Sequence, residues 1–176
     1  MDHIVAEIKG LYQIIKLKEF RRTKGVAFDV MVKSMVPKVD AIDRVLHMSS
    51  AVSPGPVGDV ERPWYMHTHQ DDNLFVLHGK RYVELYNVEH GKIEYFVVTP
   101  EYIEHNGEVV VEGGAVLIWP THVFHRVVSA EEGSASINLA THHEGIDMKT
   151  NFNIYDLNTE TGEYHVIREG YKDQKD

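Results

Sequence analysis

The chain has 176 residues, 43% of them hydrophobic, with a formal charge of −9 and no cysteine. Its length suits one domain with a real core, and the missing cysteine excludes disulfides, thiolate ligands and a cysteine nucleophile, so any metal must sit on nitrogen and oxygen. The negative balance opposes binding to nucleic acid, which rests on clustered Lys and Arg, and the start Met1-Asp2-His3, with no apolar run of spanning length anywhere, predicts a cytoplasmic protein without a signal peptide or membrane partner.

From the N-terminus, Leu11 to Leu17 and Ala27 to Val32 read as strands, and Val39 to Met48 reads as either a short helix or a further strand. Ser53-Pro54-Gly55-Pro56-Val57-Gly58 must be a loop, because its prolines remove ladder donors and its glycines favour turns. Residues 1–59 are therefore predicted to be N-terminal strands and a loop that pack on the central part of the chain or at a dimer interface. Turn signals at Glu89-His90-Gly91-Lys92, His105-Asn106-Gly107-Glu108 and Glu112-Gly113-Gly114 then separate short runs rich in Val, Ile, Tyr and Phe. Such punctuation predicts an antiparallel sandwich or barrel. Residues 143–176 are expected to form a strand or hairpin with a polar tail, Tyr171 to Asp176, that frays.

Two motifs stand out along this chain. His67-Thr68-His69 places two imidazoles on one face if the segment is a strand, where both can reach one ion. Farther on come Gly114, Pro120 and His125. Together they resemble the cupin superfamily, whose first motif reads G-x5-H-x-H-x(3,4)-E-x6-G and whose second reads G-x5-P-x-G-x2-H-x3-N. The chain supplies His67, His69, Asp72 and Gly79, then Gly114, Pro120 and His125. It departs in the short spacer Gln70-Asp71, in Asp72 for the family Glu, in His122 for the inner Gly and in Ser129 for the closing Asn. The resemblance covers about residues 60–142. It implies an all-β, double-stranded β-helix (a cupin or jelly-roll barrel) over 60–142 with extra N-terminal strands, and a metal held by His67, His69, Asp72 and His125.

Strand parity extends the site. With His67 and His69 inward, Tyr65 is inward too; Asp72 then shares a face with Leu74, Val76 and His78, and His125 with Val123 and Val127. This apolar company favours a neutral His125 able to coordinate. Tyr65, His78, Trp119 and Asn138 are predicted to line a substrate pocket beside the metal. Each assignment has a plainer counterpart. His67 and His69 can be surface residues of an edge strand, His125 a satisfied core histidine, and Asp72 an ordinary turn residue, with Asn73, Gln70 or water in the fourth place. His122 belongs at the pocket mouth, and His142 and His143 at the surface.

Two or three imidazoles with at most one carboxylate suit one divalent transition metal ion, Fe, Mn, Co, Ni, Cu or Zn. Fe(II) would favour oxygen chemistry, as in the cupin dioxygenases; Zn(II) or Mn(II) would favour Lewis-acid isomerisation or lyase chemistry on a hydroxy-carbonyl compound or sugar. The expectation is a metal-dependent enzyme, oxygenase or isomerase in type, acting on a small molecule; the alternative is a non-catalytic ligand-binding or sensor protein. A homodimer is also expected, since pairing of the N-terminal strand edges across a two-fold axis would satisfy them. In the alternative they extend the chain's own sheets, with Lys16, Lys18, Glu19, Arg21 and Arg22 protecting the edge.

Overall fold

The structure is a computed structural model and describes residues 3–35 and 37–175. Alternation of apolar and polar residues puts most of them into strands. The N-terminal part holds β1 (Ile4–Ile8), β2 (Tyr12–Lys16), β3 (Lys18–Thr23), β4 (Val26–Val30), β5 (Ala41–His47) and β6 (Val52–Ser53). Next along the chain are β7 (Trp64–Met66), β8 (Gln70–Tyr86), β9 (Glu94–Val98), β10 (Tyr102–His105), β11 (Glu108–Glu112), β12 (Ala115–Trp119) and β13 (Phe124–His142). A single helical turn, α1 (Met148–Asn151), leads to the closing hairpin β14 (Ile154–Leu157) and β15 (Tyr164–Arg168).

Two long strands organise the sheet. β8 and β13 pair antiparallel from Phe124↔Tyr86 at one end to His142↔Gln70 at the other. Every other strand of the large sheet joins this ribbon directly or through a neighbour: β12, β9, β5, β6 and β7 pair with one of the two, β2 adds to β12, and β1 to β2. The ribbon turns sharply where Gly79 and Gly133 meet, both with φ above +70°. It also carries a β-bulge, because Ala135 pairs with His78 but Ser136 pairs with Val76, leaving Leu77 as an extra residue. A one-residue insertion reverses which side chains face inward beyond it. Leu74 and Val76 are buried on one side of the bulge; beyond it the buried residues are Arg81, Val83 and Leu85, and His78 is exposed.

The main core gathers Leu11, Ile14, Leu85, Phe96, Val98, Ile103 and Leu117 between the strands. A smaller one packs Trp64 and Met66 of β7 on Tyr86, Phe124, Tyr155 and Leu157, which turns Tyr65, between them in sequence, to the opposite face. The turn at Asn106-Gly107 has φ +50° and +87°, as a tight hairpin needs. Val39 to Met48 resolves as a strand rather than a helix, paired along β13.

Of the two strands whose edges motivate a dimer, β2 is paired on both sides within the chain and β4 on one. β2 pairs with β12 on one side and β1 on the other, while β3 and β4 pair with each other in a separate two-stranded sheet. In the C-terminal tail Arg168 pairs with Asp173, and Gln174 donates to the carbonyl of Met148. Asp176 lies outside the described residues. Among these, no helix is long and apolar enough to cross a membrane.

One buried polar cluster braces the start of β9 against the β8–β9 and β10–β11 turns. Glu94 accepts from His90 (2.7 Å), His105 (2.6 Å) and Asn106 (2.6 Å), and Lys92 lies 3.0 Å away. Burial opposes its charge, but these donors outweigh it and hold the carboxyl at about 2, below the ordinary 4.5. A depressed folded-state value contributes stability that is present above the unfolded value and lost as pH falls through the folded one. The protein should therefore lose stability between about pH 4.5 and 2. Glu94→Gln should flatten that acid limb in chemical denaturation measured across pH; an unaltered limb would remove Glu94 as its source.

Candidate functional site

The end of β7, the start of β8, the end of β12 and two stretches of β13 converge on one cavity of about 390 Å³. His67, Asp72 and His125 sit together in its wall, all buried, each offering one donor atom within 4.8 Å of the others. Their orientation is set by hydrogen bonds behind them. His67 Nδ1 donates to the carbonyl of Asn151 (2.5 Å), and His125 Nδ1 to that of Val123 (3.2 Å). That fixes both tautomers and leaves the Nε2 lone pairs free. Asp72 Oδ1 accepts from Gln70 Nε2 and from Asn138 Nδ2, both at 2.7 Å. Its other oxygen, Oδ2, faces His67 Nε2 at 3.3 Å and His125 Nε2 at 3.7 Å.

Three donors thus point at one another with their remaining polar atoms already satisfied. Ligands about 2.0 to 2.2 Å from a common ion sit roughly 3 to 3.6 Å apart, close to the 3.3 and 3.7 Å between Asp72 Oδ2 and the two imidazoles. The residues therefore fit a divalent ion held by two imidazoles and one carboxylate. Electrostatics agree with mutual dependence. For His67, burial works against protonation, but the charge and hydrogen bond of Asp72, with the Asn151 carbonyl, raise its pKa. Burial likewise opposes ionisation of Asp72, and the two histidines with Gln70 overcome it, holding the carboxyl well below the usual range. Burial, aided by His67, pushes His125 down to about 4, so it is neutral near pH 7.

His69 is not brought to this group. Residues 67–69 form a bend rather than a strand, so alternation does not apply and the two imidazoles part. His69 Nδ1 instead lies 2.9 Å from Thr68 Oγ1, and its ring packs beside Gly145. His78 is also absent from the cavity, because the bulge at Leu77 turns it outward. The other predicted lining residues are present. Tyr65 pairs in register with His125, their rings 5.9 Å apart, and burial pushes its phenol above the usual range. Trp119 packs 5.2 Å from the His125 ring, and its buried Nε1 has no hydrogen-bond partner among the described residues. Asn138 grips Asp72 and, through Nδ2, Asp43 Oδ2 at 3.0 Å. Asn73, the alternative fourth ligand, does not line the cavity, and its Nδ2 donates to the carbonyl of Leu139. Gln70 supports Asp72 from behind.

His122 stands where the resembled motif has glycine and adopts φ +63°, with its backbone N–H donating to the His67 carbonyl (2.8 Å). The left-handed conformation, more than the side chain, is what this turn requires. Further cavity residues escape sequence reasoning, among them Asp43 and His47 on β5, Arg81 on β8, Ser136 on β13, and Phe152, whose ring lies 5.1 Å from that of His67. On β5 the alternation of Asp43, Val45 and His47 against exposed Ile42 and Leu46 is the signal that could have found two of them. Asn151 and Phe152 come from a stretch without any motif.

No protein-family model and no curated protein matches this sequence. Among solved structures it is similar to QdtA, a sugar 3,4-ketoisomerase from Thermoanaerobacterium thermosaccharolyticum determined in complex with TDP, with a TM-score of 0.55 at 14% identity over 80% of this chain and 85% of that one. The likeness is one of fold, and this chain is accordingly an all-β, double-stranded β-helix of cupin type with extra N-terminal strands.

Proposed function

We propose that the chain is a metal-dependent enzyme that isomerises a small hydroxy-carbonyl compound bound in the cavity. One observation carries the proposal: Asp72 Oδ2 and the Nε2 atoms of His67 and His125 converge in the cavity wall, every one of them oriented by a hydrogen bond behind it. A bound divalent ion would supply Lewis acidity to a substrate oxygen. The chain's own groups would do the rest. Tyr65, kept protonated by burial, can donate its proton to a substrate oxygen, and His47, neutral and lining the same cavity, can take the proton that leaves the substrate carbon and return it to the neighbouring one. Trp119 Nε1–H, buried without a partner among the described residues, is a donor available to the same ligand. Leu74, Val127 and Phe152 exclude water from the space between. The name of QdtA, a sugar ketoisomerase, favours the same class of chemistry.

A second reading, an oxygenase, is favoured by the ligand set itself, because two histidines and one carboxylate with open positions suit Fe(II) oxygen chemistry. Protein purified without an affinity tag should carry a transition metal on elemental analysis. Loaded with Zn(II), Mn(II) or Fe(II), it is then offered small aldoses and ketoses in deuterated water. Deuterium appearing at the carbon beside the carbonyl supports the isomerase, and Tyr65→Phe should slow it about 100-fold or more. Oxygen uptake without that exchange supports the oxygenase, and saturable ligand binding with neither supports a sensor. Protein that takes up no metal would sink the enzyme proposal in both forms.

A further inference from the structure

Arg81 is a buried cation without an anion. Its residue is 3% exposed, it lines the cavity, and it owes its place there to the extra residue at Leu77. Two hydrogen bonds hold it: Nε donates to Ser134 Oγ (2.8 Å) and Nη2 to the carbonyl of Val45 (3.3 Å). No carboxylate among the described residues forms an ion pair with it, and burial alone accounts for the drop of its pKa to about 10. Asp43, the other acid of the cavity besides Asp72, is turned to Asn138, and its charge is felt at His67. His47 brings no charge of its own, since burial and Arg81 push it down to about 4.

Leaving a guanidinium out of water without a counter-charge is expensive, and such groups are ordinarily paired. The surroundings here are prepared for a partner that is not part of the chain. Ser134 Oγ, which steadies Arg81, is itself 2.7 Å from Ser129 Oγ, and Ser129 is held by His47 at 2.9 Å. Ser136, opposite Val45 in the sheet, is 3% exposed and lines the cavity, and its Oγ has no hydrogen-bond partner among the described residues. A planar guanidinium with spare N–H donors beside an unused hydroxyl matches a carboxylate, which it can grip with two parallel bonds.

We infer that Arg81 and Ser136 form an anion subsite in the cavity, and that its ligand is a small carboxylate, a hydroxy or keto acid, anchored there by its carboxyl group. The inference rests on the cavity being the substrate site. It narrows the substrate class from neutral sugars to acids. One guanidinium balances one negative charge, and the small cavity shared with Asp72 and Asp43 disfavours a dianionic phosphate.

The test uses the full chain, both as purified and after chelation, with glycolate as the probe, glycolamide as its neutral counterpart, and inorganic phosphate. Binding is measured by calorimetry and ligand-observed NMR. Glycolate should bind saturably in both preparations, and chelation removes any metal as its alternative partner. Glycolamide, or Arg81→Gln protein, should show affinity lower by about 10-fold to 100-fold, with Arg81→Lys restoring part of the loss. Ser136→Ala, whose hydroxyl makes no hydrogen bond among the described residues, should keep the fold and lose about 5-fold; this variant decides if Arg81→Gln does not fold. Equal affinity for glycolate and glycolamide, unchanged binding by folded Arg81→Gln or by Ser136→Ala, or preference for phosphate would overturn the assignment. Arg81-dependent glycolate binding to a protein that takes up no metal would uphold the subsite while ending the proposed enzyme. Metal-dependent isomerisation of neutral sugars that ignores Arg81 would do the reverse.

Discussion

His125→Ala and Asp72→Ala should each abolish stoichiometric metal binding, lowering affinity by more than about 100-fold. Even groups that only orient a metal ligand change affinity by roughly 10-fold to 100-fold when removed, so loss of a donor should exceed that. His125 makes the cleaner case. It is neutral without metal, so its removal leaves a cavity and not an unbalanced charge. Asp72 is different, because His67 depends on it. Taking the carboxylate away strands a buried imidazole whose protonation it favours and frees donors of Gln70 and Asn138. Breaking one partner of a buried pair costs about 3 to 5 kcal/mol, so Asp72→Ala should also be markedly less stable. His69→Ala should bind metal within about 3-fold of the parent, since an exchange outside the ligand set moves affinity less than loss of an orienting group. Competition against a chelating dye with Co(II) or Zn(II), with elemental analysis, measures all three. Full occupancy in His125→Ala, or loss of metal only in His69→Ala, would refute the proposed ligand set.

The largest stability effect away from the site should come from Gly79→Ala. Gly79 has φ +71°, and a Cβ there would lie 2.1 Å from the carbonyl oxygen of Gly133 and 3.0 Å from Ser134 Cα. Both obstacles are backbone, and Gly133 cannot retreat freely, because its own added Cβ position is 2.5 Å from the His47 carbonyl. The left-handed conformation costs a non-glycine residue about 1 to 3 kcal/mol and overpacking a similar amount, which together consume much of a typical folding stability of about 5 to 15 kcal/mol. Denaturant titration should show a loss of about 3 to 5 kcal/mol or failure to fold. A loss below about 1 kcal/mol would mean that the two strands part more easily than their contact implies. Gly10→Ala, at φ +78° with open space around it, separates conformational strain from collision.

How much of the molecule can be read from its residues depends on whether a local rule survives its context. The ends of the ribbon are legible. Gly79 closes the first motif and proves to leave the least room for a Cβ among the described glycines, and His67, Asp72 and His125 meet although the last lies 58 positions after the first. Asn106-Gly107 announces its hairpin by chemistry alone. Parity fails wherever the strand itself is interrupted. It places His69 on the face of His67 on the premise of a strand, and the bend at 67–69 breaks that premise. It turns His78 inward with Asp72 by even spacing, and one unpaired residue cancels the count. No sequence signal marks Leu77 as that residue. Asn151 and Phe152 reach the site through tertiary packing of a segment that carries no motif, and Asp43 and His47 are hidden by the ambiguity between helix and strand over Val39 to Met48.

The extra residue at Leu77 makes the two parts of the cavity separately adjustable. Upstream of it, the phase of β8 is locked by Asp72 and the groups that hold it; downstream, the phase is set by a single insertion. Taking Leu77 into the ladder would rotate the inward set from Arg81, Val83 and Leu85 to Lys80, Tyr82 and Glu84, whereas deleting it would leave that set in place; neither change touches His67, Asp72 or His125. What lines this part of the cavity is therefore decided by whether one residue sits inside the ladder or outside it, and not by the composition of the strand alone.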